Sequence, residues 1–195
     1  KMMKRYCLYL FILIGISCSA ELKAQKNGTV YKGNDPAVRY TGRTLVSPDG
    51  SVAFDWVGTY LETRFTGGKL SVKVSETGTS YYNVFVDGKL HKVVKVCGTD
   101  TLIHLVSGID KRIHSLKIQK RSEGEFGKTT VHQFVLSGSG RLAEEPAVRT
   151  RHIEFIGNSL TCGYGTDGKH RDEPFLVETE NCNLTFASMV ARYYD

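Results

Sequence analysis

The sequence contains little proline and no apolar run long enough to span a membrane. Only 4 of its 195 residues are proline, against 20 glycines, and this balance favours tight turns over extended linkers. A membrane-spanning helix needs about 20 consecutive apolar residues, whereas the apolar run from Tyr6 to Ile16 is shorter. No internal repeat and no low-complexity tract is visible. These shortages predict a globular protein without a membrane span.

Metal-binding cysteine patterns and strongly basic segments are also missing. The chain has no Cys-x-x-Cys pair and no His/Cys cluster with the spacing of a zinc site. Residues 1–25 hold four of the 26 Lys and Arg residues and one of the 20 Asp and Glu residues, so the remainder carries 22 basic and 19 acidic residues, a net charge of +3. This excess is small and scattered. We therefore predict no metal, no cofactor and no nucleic-acid partner.

Residues 1–25 have the layout of a secretory signal peptide. Lys4 and Arg5 precede the apolar run, and small residues follow it before Ala24, after which we predict cleavage. The mature protein would then be secreted or periplasmic. The alternative is a lipoprotein with Cys18 as its lipid-bearing N-terminus, but Gly15 stands where a bulky apolar residue is usual.

Three cysteines follow the signal segment, and an oxidising compartment permits disulfides. Cys162 and Cys182 lie 20 residues apart on either side of one loop. They are the preferred disulfide pair, which leaves Cys97 unpaired. The alternative is that all three are buried free cysteines, and the sequence leaves both arrangements open.

Residues 29–140 are predicted to form a β-sandwich. Short runs rich in β-branched and aromatic residues are separated by turn signals such as Gly67-Gly68 and Asp87-Gly88. Asp87-Gly88 predicts a two-residue hairpin, whose turn requires positive φ at both positions. Short strands with turns about every 8–12 residues indicate a sandwich or barrel. The predicted strands are Ser51–Trp56, Thr59–Thr66, Leu70–Ser75, Tyr81–Asp87, Leu90–Val96, Thr101–Val106, Ser115–Lys120 and Val131–Ser137.

The pattern changes after residue 140. Residues 141–150 are predicted to be a linker, and residues 151–195 have the strand, turn, loop and helix that open an α/β domain. The strand is the apolar run Ile153–Ile156. Asn181 or Asn183 is the expected cap of the helix. The helix itself is predicted from apolar residues at helical spacing, namely Phe186, Met189, Val190 and Tyr193.

Ser159 follows the predicted strand directly, in the turn Gly157-Asn158-Ser159. Such a turn lifts the hydroxyl clear of the sheet edge, and the backbone N–H groups after the strand can face a developing oxyanion. A nucleophilic serine also needs a base. The alternative is a turn with a purely structural role. The second glycine of a Gly-x-Ser-x-Gly elbow is absent, which argues against an α/β-hydrolase.

The segment from Ile153 to Gly165, IEFIGNSLTCGYG, resembles the first block of SGNH (GDSL-type) hydrolases, and most closely that of carbohydrate esterase family 2. Trp56-Val57-Gly58, Lys120-Arg121-Ser122-Glu123 and Glu180-Asn181 also fit this family. The resemblance covers roughly residues 35–195. It implies a mostly β chain, with a jelly-roll-like β-sandwich joined to an incomplete, flavodoxin-like α/β SGNH domain. It also implies deacetylation of a plant cell-wall polysaccharide such as xylan or glucomannan.

The resemblance implies that Ser159 is the nucleophile and that its backbone N–H forms part of the oxyanion hole, in a turn shaped by Gly157 and Asn158. Asn158 stands where the family usually has Asp, and we expect the turn to survive this change. The family's catalytic histidine lies beyond residue 195, so we expect this chain to be a truncated form without activity. His170 matches the histidine of the family's Asp-x-x-His by letter only. It could act as the base, and the alternative is that it is a solvated loop residue without a catalytic role.

A second class of function stays open at this stage. The chain would then be a non-catalytic β-sandwich that binds carbohydrate or another protein and has a vestigial hydrolase segment. Trp56, Tyr60, Tyr81 and Tyr82 could stack on sugars, although aromatic residues in a sandwich more often fill the core.

Overall fold

β-Strands dominate the structure, a computed structural model that describes residues 28–144 and 147–194. The predicted signal peptide lies outside these residues. No helix in the described part is long and apolar enough to cross a membrane. The described residues form ten strands and two α-helices, β1 (Thr29–Lys32), β2 (Val38–Thr41), β3 (Leu45–Val46), β4 (Val52–Phe54), β5 (Tyr60–Glu76), β6 (Thr79–Val86), β7 (Lys89–Cys97), β8 (Thr101–Lys120), β9 (Thr129–Ser137), β10 (Arg141–Leu142), α1 (Ser159–Cys162) and α2 (Phe186–Tyr193).

All ten strands join one antiparallel hydrogen-bonded sheet. Its central order is β3-β4-β9-β5-β8-β6-β7, and β1 pairs with β9 while β2 and β10 pair with β5. The prediction of a mostly β fold is therefore confirmed. The jelly-roll description of the strand order stays a prediction.

β5 and β8 are each one long strand where the sequence predicted two short strands. Both strands continue through glycine residues that were not expected inside a strand. Gly67-Gly68 was predicted as a turn but forms a β-bulge within β5, with register shifts against β8 on both sides of Gly68. A Cβ on Gly68 would lie 2.3 Å from the Ser137 carbonyl oxygen. Because an extra residue in a strand reverses the facing of all that follow, the buried side chains switch from odd to even positions. They are Leu61, Thr63 and Phe65 before the bulge and Leu70, Val72 and Val74 after it.

This switch lets the two halves of β5 present apolar side chains to one core, as the two layers of a sandwich require. The first half pairs with β2, β10 and the second half of β8, whereas the second half pairs with β9 and the first half of β8. Phe65 and Phe134 are fully buried in the shared core. The core cluster also includes Phe54, Leu61, Leu70, Tyr82, Val84, Leu105, Leu116, Ile118, Val131 and Leu136.

The Asp87-Gly88 hairpin is confirmed. Val86 and Lys89 are paired across the turn, and Asp87 and Gly88 have φ of +51° and +76°. Positive φ at both positions gives the twist that suits a right-twisted strand pair. Of the aromatic candidates, Tyr82 is buried in the core and Tyr81 is half-buried on the opposite face. Trp56 is 58% exposed and therefore is not a core residue.

The segment after residue 140 differs from its prediction in three places. Arg141–Leu142 pairs with β5, so the sheet extends into the predicted linker. The predicted strand Ile153–Ile156 is not formed, and Ile156 is 92% exposed. A strand needs a neighbour for its N–H and C=O groups, and no described strand pairs with this one. The helix is confirmed as Phe186–Tyr193, but its cap is Thr185, and Asn181 instead caps a preceding 3-10 turn.

Candidate functional site

Ser159 is exposed as the first residue of α1, a single helical turn. Asn158 is the N-cap, and its Oδ1 accepts a hydrogen bond of 3.1 Å from the backbone N–H of Leu160. The Asn158 carbonyl accepts from the N–H groups of Thr161 and Cys162 at 2.9 and 3.1 Å. Asn and Asp cap helices about equally well, so the asparagine retains the turn without a negative charge.

Close packing explains the glycines on both sides of this turn. A Cβ on Gly157 would lie 2.1 Å from Thr161 Oγ1. Gly163 ends α1 with φ +91°, and a Cβ there would lie 2.6 Å from the Asn181 carbonyl oxygen. The Ser159 carbonyl accepts hydrogen bonds from the N–H groups of Gly163 and Tyr164. Its own N–H has no acceptor within the described residues, as expected for the first turn of a helix.

No histidine in the described part of the chain is hydrogen-bonded to Ser159. His170 and His152 are both exposed, and neither ring is within hydrogen-bond distance of the serine hydroxyl. A groove of about 560 Å³ lies between the sheet and α2, and Ser159 is not among its lining residues. The Gly157-Asn158-Ser159 turn is therefore present, but among the described residues no histidine is hydrogen-bonded to the serine.

Arg121 connects the sandwich to the segment that follows α1. Its guanidinium is almost fully buried, with Nε donating to the Glu180 carbonyl at 3.0 Å and Nη2 donating to the Glu178 carbonyl at 3.1 Å and to Asp167. A planar fork with several donors suits such a set of acceptors. Arg121 lies directly after β8, so one side chain at the end of this strand binds residues 167, 178 and 180.

Asn181 adds a second connection beside Arg121. Its Oδ1 accepts from Asn83 Nδ2 of β6 at 3.0 Å, and its Nδ2 donates to Asp167 at 3.1 Å. Its backbone N–H donates to the Gly163 carbonyl at 3.0 Å. Asn181 thus links the sandwich directly to the end of the serine-bearing turn.

Lys120 and Glu180 are two ionisable side chains that are completely buried near this connection. Burial raises the pKa of Glu180 to about 8, and the negative charge of Glu123 adds to the rise. Burial lowers the pKa of Lys120 to about 8, although nearby carboxylates oppose this. Lys120 Nζ donates to Ser80 Oγ and to the Gly127 carbonyl. Neither oxygen of Glu180 is within normal hydrogen-bonding geometry of a partner among the described residues.

The predicted disulfide between Cys162 and Cys182 is not formed. Both are free thiols with different partners, because Cys162 Sγ donates to Glu123 at 3.2 Å and Cys182 Sγ donates to the Lys120 carbonyl at 3.3 Å. Burial raises the pKa of each thiol to about 12. Cys97 is also free but exposed, and Cys162 is half-buried. The alternative of three buried free cysteines is therefore right that all three are free, but only Cys182 is buried.

Aromatic rings lie beside the serine-bearing turn. Tyr164 stacks on Phe175 with ring centroids 4.2 Å apart, and Phe126 follows at 5.6 Å from Phe175. Phe175 is 40% exposed. The sequence does not reveal this group, because residues 126, 164 and 175 lie in three separate segments and no local pattern marks them as neighbours.

The fold and site together define a β-sandwich protein with an exposed serine on a capped helical turn. The family follows from comparison with known proteins. Residues 40–146 match the N-terminal domain of carbohydrate esterase 2. The chain belongs to carbohydrate esterase family 2, as its resemblance predicted.

Two characterised relatives and one solved structure illustrate the match. The chain is 33% identical over 159 residues to cellulase/esterase CelE of Acetivibrio thermocellus, covering 82% of this chain and 19% of that protein. It is 29% identical over 135 residues to an acetylxylan esterase / glucomannan deacetylase of Cellvibrio japonicus, covering 69% and 37%. A family two carbohydrate esterase from Clostridium thermocellum, in complex with cellohexaose, has a TM-score of 0.76 at 33% identity, covering 80% and 48%. The chain thus spans less than half the length of each.

Proposed function

We propose that this chain is the N-terminal part of a secreted or periplasmic carbohydrate O-acetyl esterase in which Ser159 attacks the acetyl carbonyl. The observation that supports this most strongly is the position of Ser159, exposed at the first residue of a capped helical turn. The serine oxygen would form the new bond to the acetyl carbon, and the sugar oxygen would leave. Water would then release acetate from the acyl-enzyme.

Two features of the turn support the role of Ser159. Its backbone N–H has no acceptor within the described residues, so it is available to a developing oxyanion. The Asn158 cap stabilises the turn, and the close approach of Thr161 leaves no room for a side chain at Gly157. The relatives named above are esterases, and acetylated xylan or glucomannan is the substrate class that their names suggest.

The proposal places the base outside this chain. A serine hydroxyl must lose its proton as it attacks, and no histidine among the described residues is hydrogen-bonded to Ser159. We propose that the part of the relatives that this chain does not span supplies a histidine and further oxyanion donors. The chain of 195 residues would then bind substrate poorly and be inactive.

Release of p-nitrophenol from p-nitrophenyl acetate tests the proposal. The proteins to compare are this chain, the longest natural form of the gene product, and the Ser159→Ala variant of that long form. Ser139→Ala is the matched control, because Ser139 is an exposed loop serine between β9 and β10. We expect activity in the long form only, with a loss of about 10³-fold or more in Ser159→Ala and no change in Ser139→Ala.

Two results would contradict this expectation. Equal activity in Ser159→Ala and Ser139→Ala would remove Ser159 from the reaction. Serine-dependent activity in the chain of 195 residues would show that a local group such as His170 is sufficient as the base. That the reaction needs no metal or cofactor, and that the protein has no nucleic-acid partner, stay predictions.

One observation favours non-catalytic carbohydrate binding as a second function. The relative solved with cellohexaose holds a glucan that has no acetyl ester, and Trp56 here is exposed, with the Arg43 guanidinium 5.3 Å from its ring centroid. Trp56 is the single tryptophan of the chain, so its fluorescence reports on its own environment. Titration with cellohexaose should change this fluorescence if Trp56 contacts the sugar, and an unchanged spectrum would exclude that contact.

A further inference from the structure

Three side chains of types that can bind a metal ion meet where the sandwich contacts the serine-bearing turn. Glu123 follows β8, Cys162 ends α1, and Glu180 precedes the Asn181 cap. A carboxylate oxygen of each glutamate and the Cys162 sulfur all lie within 4.8 Å of one another. The three residues are 39 and 18 positions apart in sequence, so no local spacing marks them as a site.

Glu180 shows that this cluster is more than a chance group of polar side chains. It is completely buried, and neither of its carboxylate oxygens is within normal hydrogen-bonding geometry of a partner among the described residues. A buried polar group without a partner is costly, and native proteins usually give it one. The two other members of the cluster lie within reach of those unpartnered oxygens.

We propose that Glu123, Cys162 and Glu180 bind one Zn²⁺ ion that joins the β-sandwich to the end of the serine-bearing turn. Thiolate and carboxylate are ligands that zinc accepts, with Zn–S of about 2.3 Å and Zn–O of about 2.0–2.2 Å. Tetrahedral geometry at those lengths separates the ligand atoms by about 3.6 Å. The ligand atoms lie no more than 4.8 Å apart, so each separation needs to change by no more than roughly 1 Å to reach that geometry. Three protein ligands leave the fourth position to water.

The thiolate decides which cation fits. Magnesium and calcium require oxygen ligands, usually six or more, whereas a soft thiolate selects zinc and similar ions. Glu123 and Cys162 are half-buried, so an ion can enter from solvent. The ion would add two positive charges close to two carboxylates, and the buried Lys120 side chain also interacts electrostatically with Glu180.

Binding must exchange protons for the metal. In the metal-free chain the Cys162 thiol donates to Glu123, and the Tyr164 hydroxyl donates to the other oxygen of the same carboxylate. On binding, the thiol would release its proton to solvent and its sulfur would bond to Zn²⁺. A protonated Glu180 would release a second proton. The Tyr164 hydrogen bond can persist, because it uses an oxygen that the metal does not need.

Titration of the full chain with Co²⁺, a spectroscopic substitute for zinc, tests the site. Coordination by the Cys162 thiolate should produce a sulfur-to-cobalt charge-transfer band in the near ultraviolet that saturates at one Co²⁺ per chain and disappears when Zn²⁺ is added. The band should be lost in Cys162→Ser and retained in Cys97→Ser, the control for an exposed cysteine on β7. Loss of an outer partner costs about 10- to 100-fold in metal affinity, so Glu180→Gln should weaken Co²⁺ binding by more than about 100-fold.

A second measurement needs no variant and so does not depend on the folding of one. Alkylation of the unmodified chain, mapped by mass spectrometry, should slow at Cys162 when Zn²⁺ is present and stay unchanged at Cys97. The proposal is overturned if the unmodified chain gives no charge-transfer band, if the band follows Cys97 or Cys182, or if Zn²⁺ leaves Cys162 alkylation unchanged. Neither assay uses ester hydrolysis, so its result is independent of the proposed esterase function.

Discussion

Replacement of Arg121 by methionine should release residues 163–181 from the sandwich while leaving the sandwich folded. The Arg121 side chain is only 3% exposed, and its guanidinium donates to two backbone carbonyls and to Asp167. Methionine is shorter but keeps an unbranched apolar stem, and it removes every donor. The carbonyls of Glu178 and Glu180 would then lack the donors that they now have.

The size of the effect follows from the burial of each partner. Removal of one member of a buried ion pair costs about 3–5 kcal/mol, because the other charge is left unpaired. Asp167 is 33% exposed and also accepts from Asn181, so water and the amide recover part of that cost. We therefore expect about 3 kcal/mol for local opening, the lower end of the range. At 1.4 kcal/mol per factor of ten, this is a roughly 100-fold change in the opening equilibrium.

Hydrogen exchange measured by mass spectrometry can separate this local opening from global unfolding. Peptides covering residues 163–181 should exchange roughly 100-fold faster in Arg121→Met, whereas peptides from β5 and β9 should not change. The matched control is Arg171→Met, because Arg171 lies in the same segment but is 93% exposed and pairs only with Asp172. Exposed pairs contribute little, so this control should behave like the unmodified chain.

Two outcomes would refute the reasoning about Arg121. Equal exchange in Arg121→Met and Arg171→Met would show that the buried hydrogen bonds do not hold the segment. Faster exchange in β5 and β9 to the same degree would show that Arg121 stabilises the sandwich itself, and that the segment is not a separate unit of stability.

Two further predictions concern other buried or capping side chains. The buried His114 ring bridges Asp87 at 2.7 Å and Asp110 at 3.0 Å, and the bond to Asp87 is the main cause that raises the pKa of His114. Because the pKa of His114 is raised in the folded state, its contribution to stability is complete below about pH 6.5, the unfolded value, and is lost as pH rises through the folded value. The free energy of unfolding, measured in urea at several pH values, should show this loss. The loss should disappear in His114→Gln and persist in His91→Gln, the control at an exposed histidine. Asn158→Ala should destabilise α1 by about 1 kcal/mol, whereas Asn158→Asp should not. Hydrogen exchange of peptides that contain the turn measures this difference. Equal exchange in both variants would show that the cap is unimportant.

Local sequence patterns predicted most of the sheet but misplaced its longest strands. The Asp87-Gly88 hairpin depends on two adjacent residues, so sequence alone located it. Gly67-Gly68 carries the same turn signal, yet β8 and β9 lie on both sides of it, and their pairing keeps the strand continuous as a bulge. Whether a glycine pair turns the chain or bulges it depends on the neighbouring strands, which a local pattern does not contain.

The candidate site was predictable only where its residues are adjacent in sequence. The Gly157-Asn158-Ser159 turn was found from its neighbours, and the structure gives it a cap and an exposed serine. The contacts of Arg121 with residues 167, 178 and 180 span 46 to 59 positions, and the residue type alone does not reveal them. The predicted disulfide failed for the same reason, since a sequence separation of 20 does not show that each sulfur has another partner.

These connections assign different roles to the two sides of the serine. The residues just before Ser159 are mostly exposed, with Ile156 almost fully exposed. They contact the rest of the chain at the surface, where Glu154 pairs with Arg43 and the Phe155 ring packs against Phe186. Residues after it are held to the sandwich by Arg121, Asn181 and the Cys182 contact with the Lys120 carbonyl. Because α1 is a single turn, an anchor at Gly163 and Asn181 also restrains the Ser159 backbone, whose carbonyl bonds to Gly163. The sandwich therefore positions the serine from its C-terminal side, and a change at Arg121 should disturb the turn more than an equal change in the exposed segment before it.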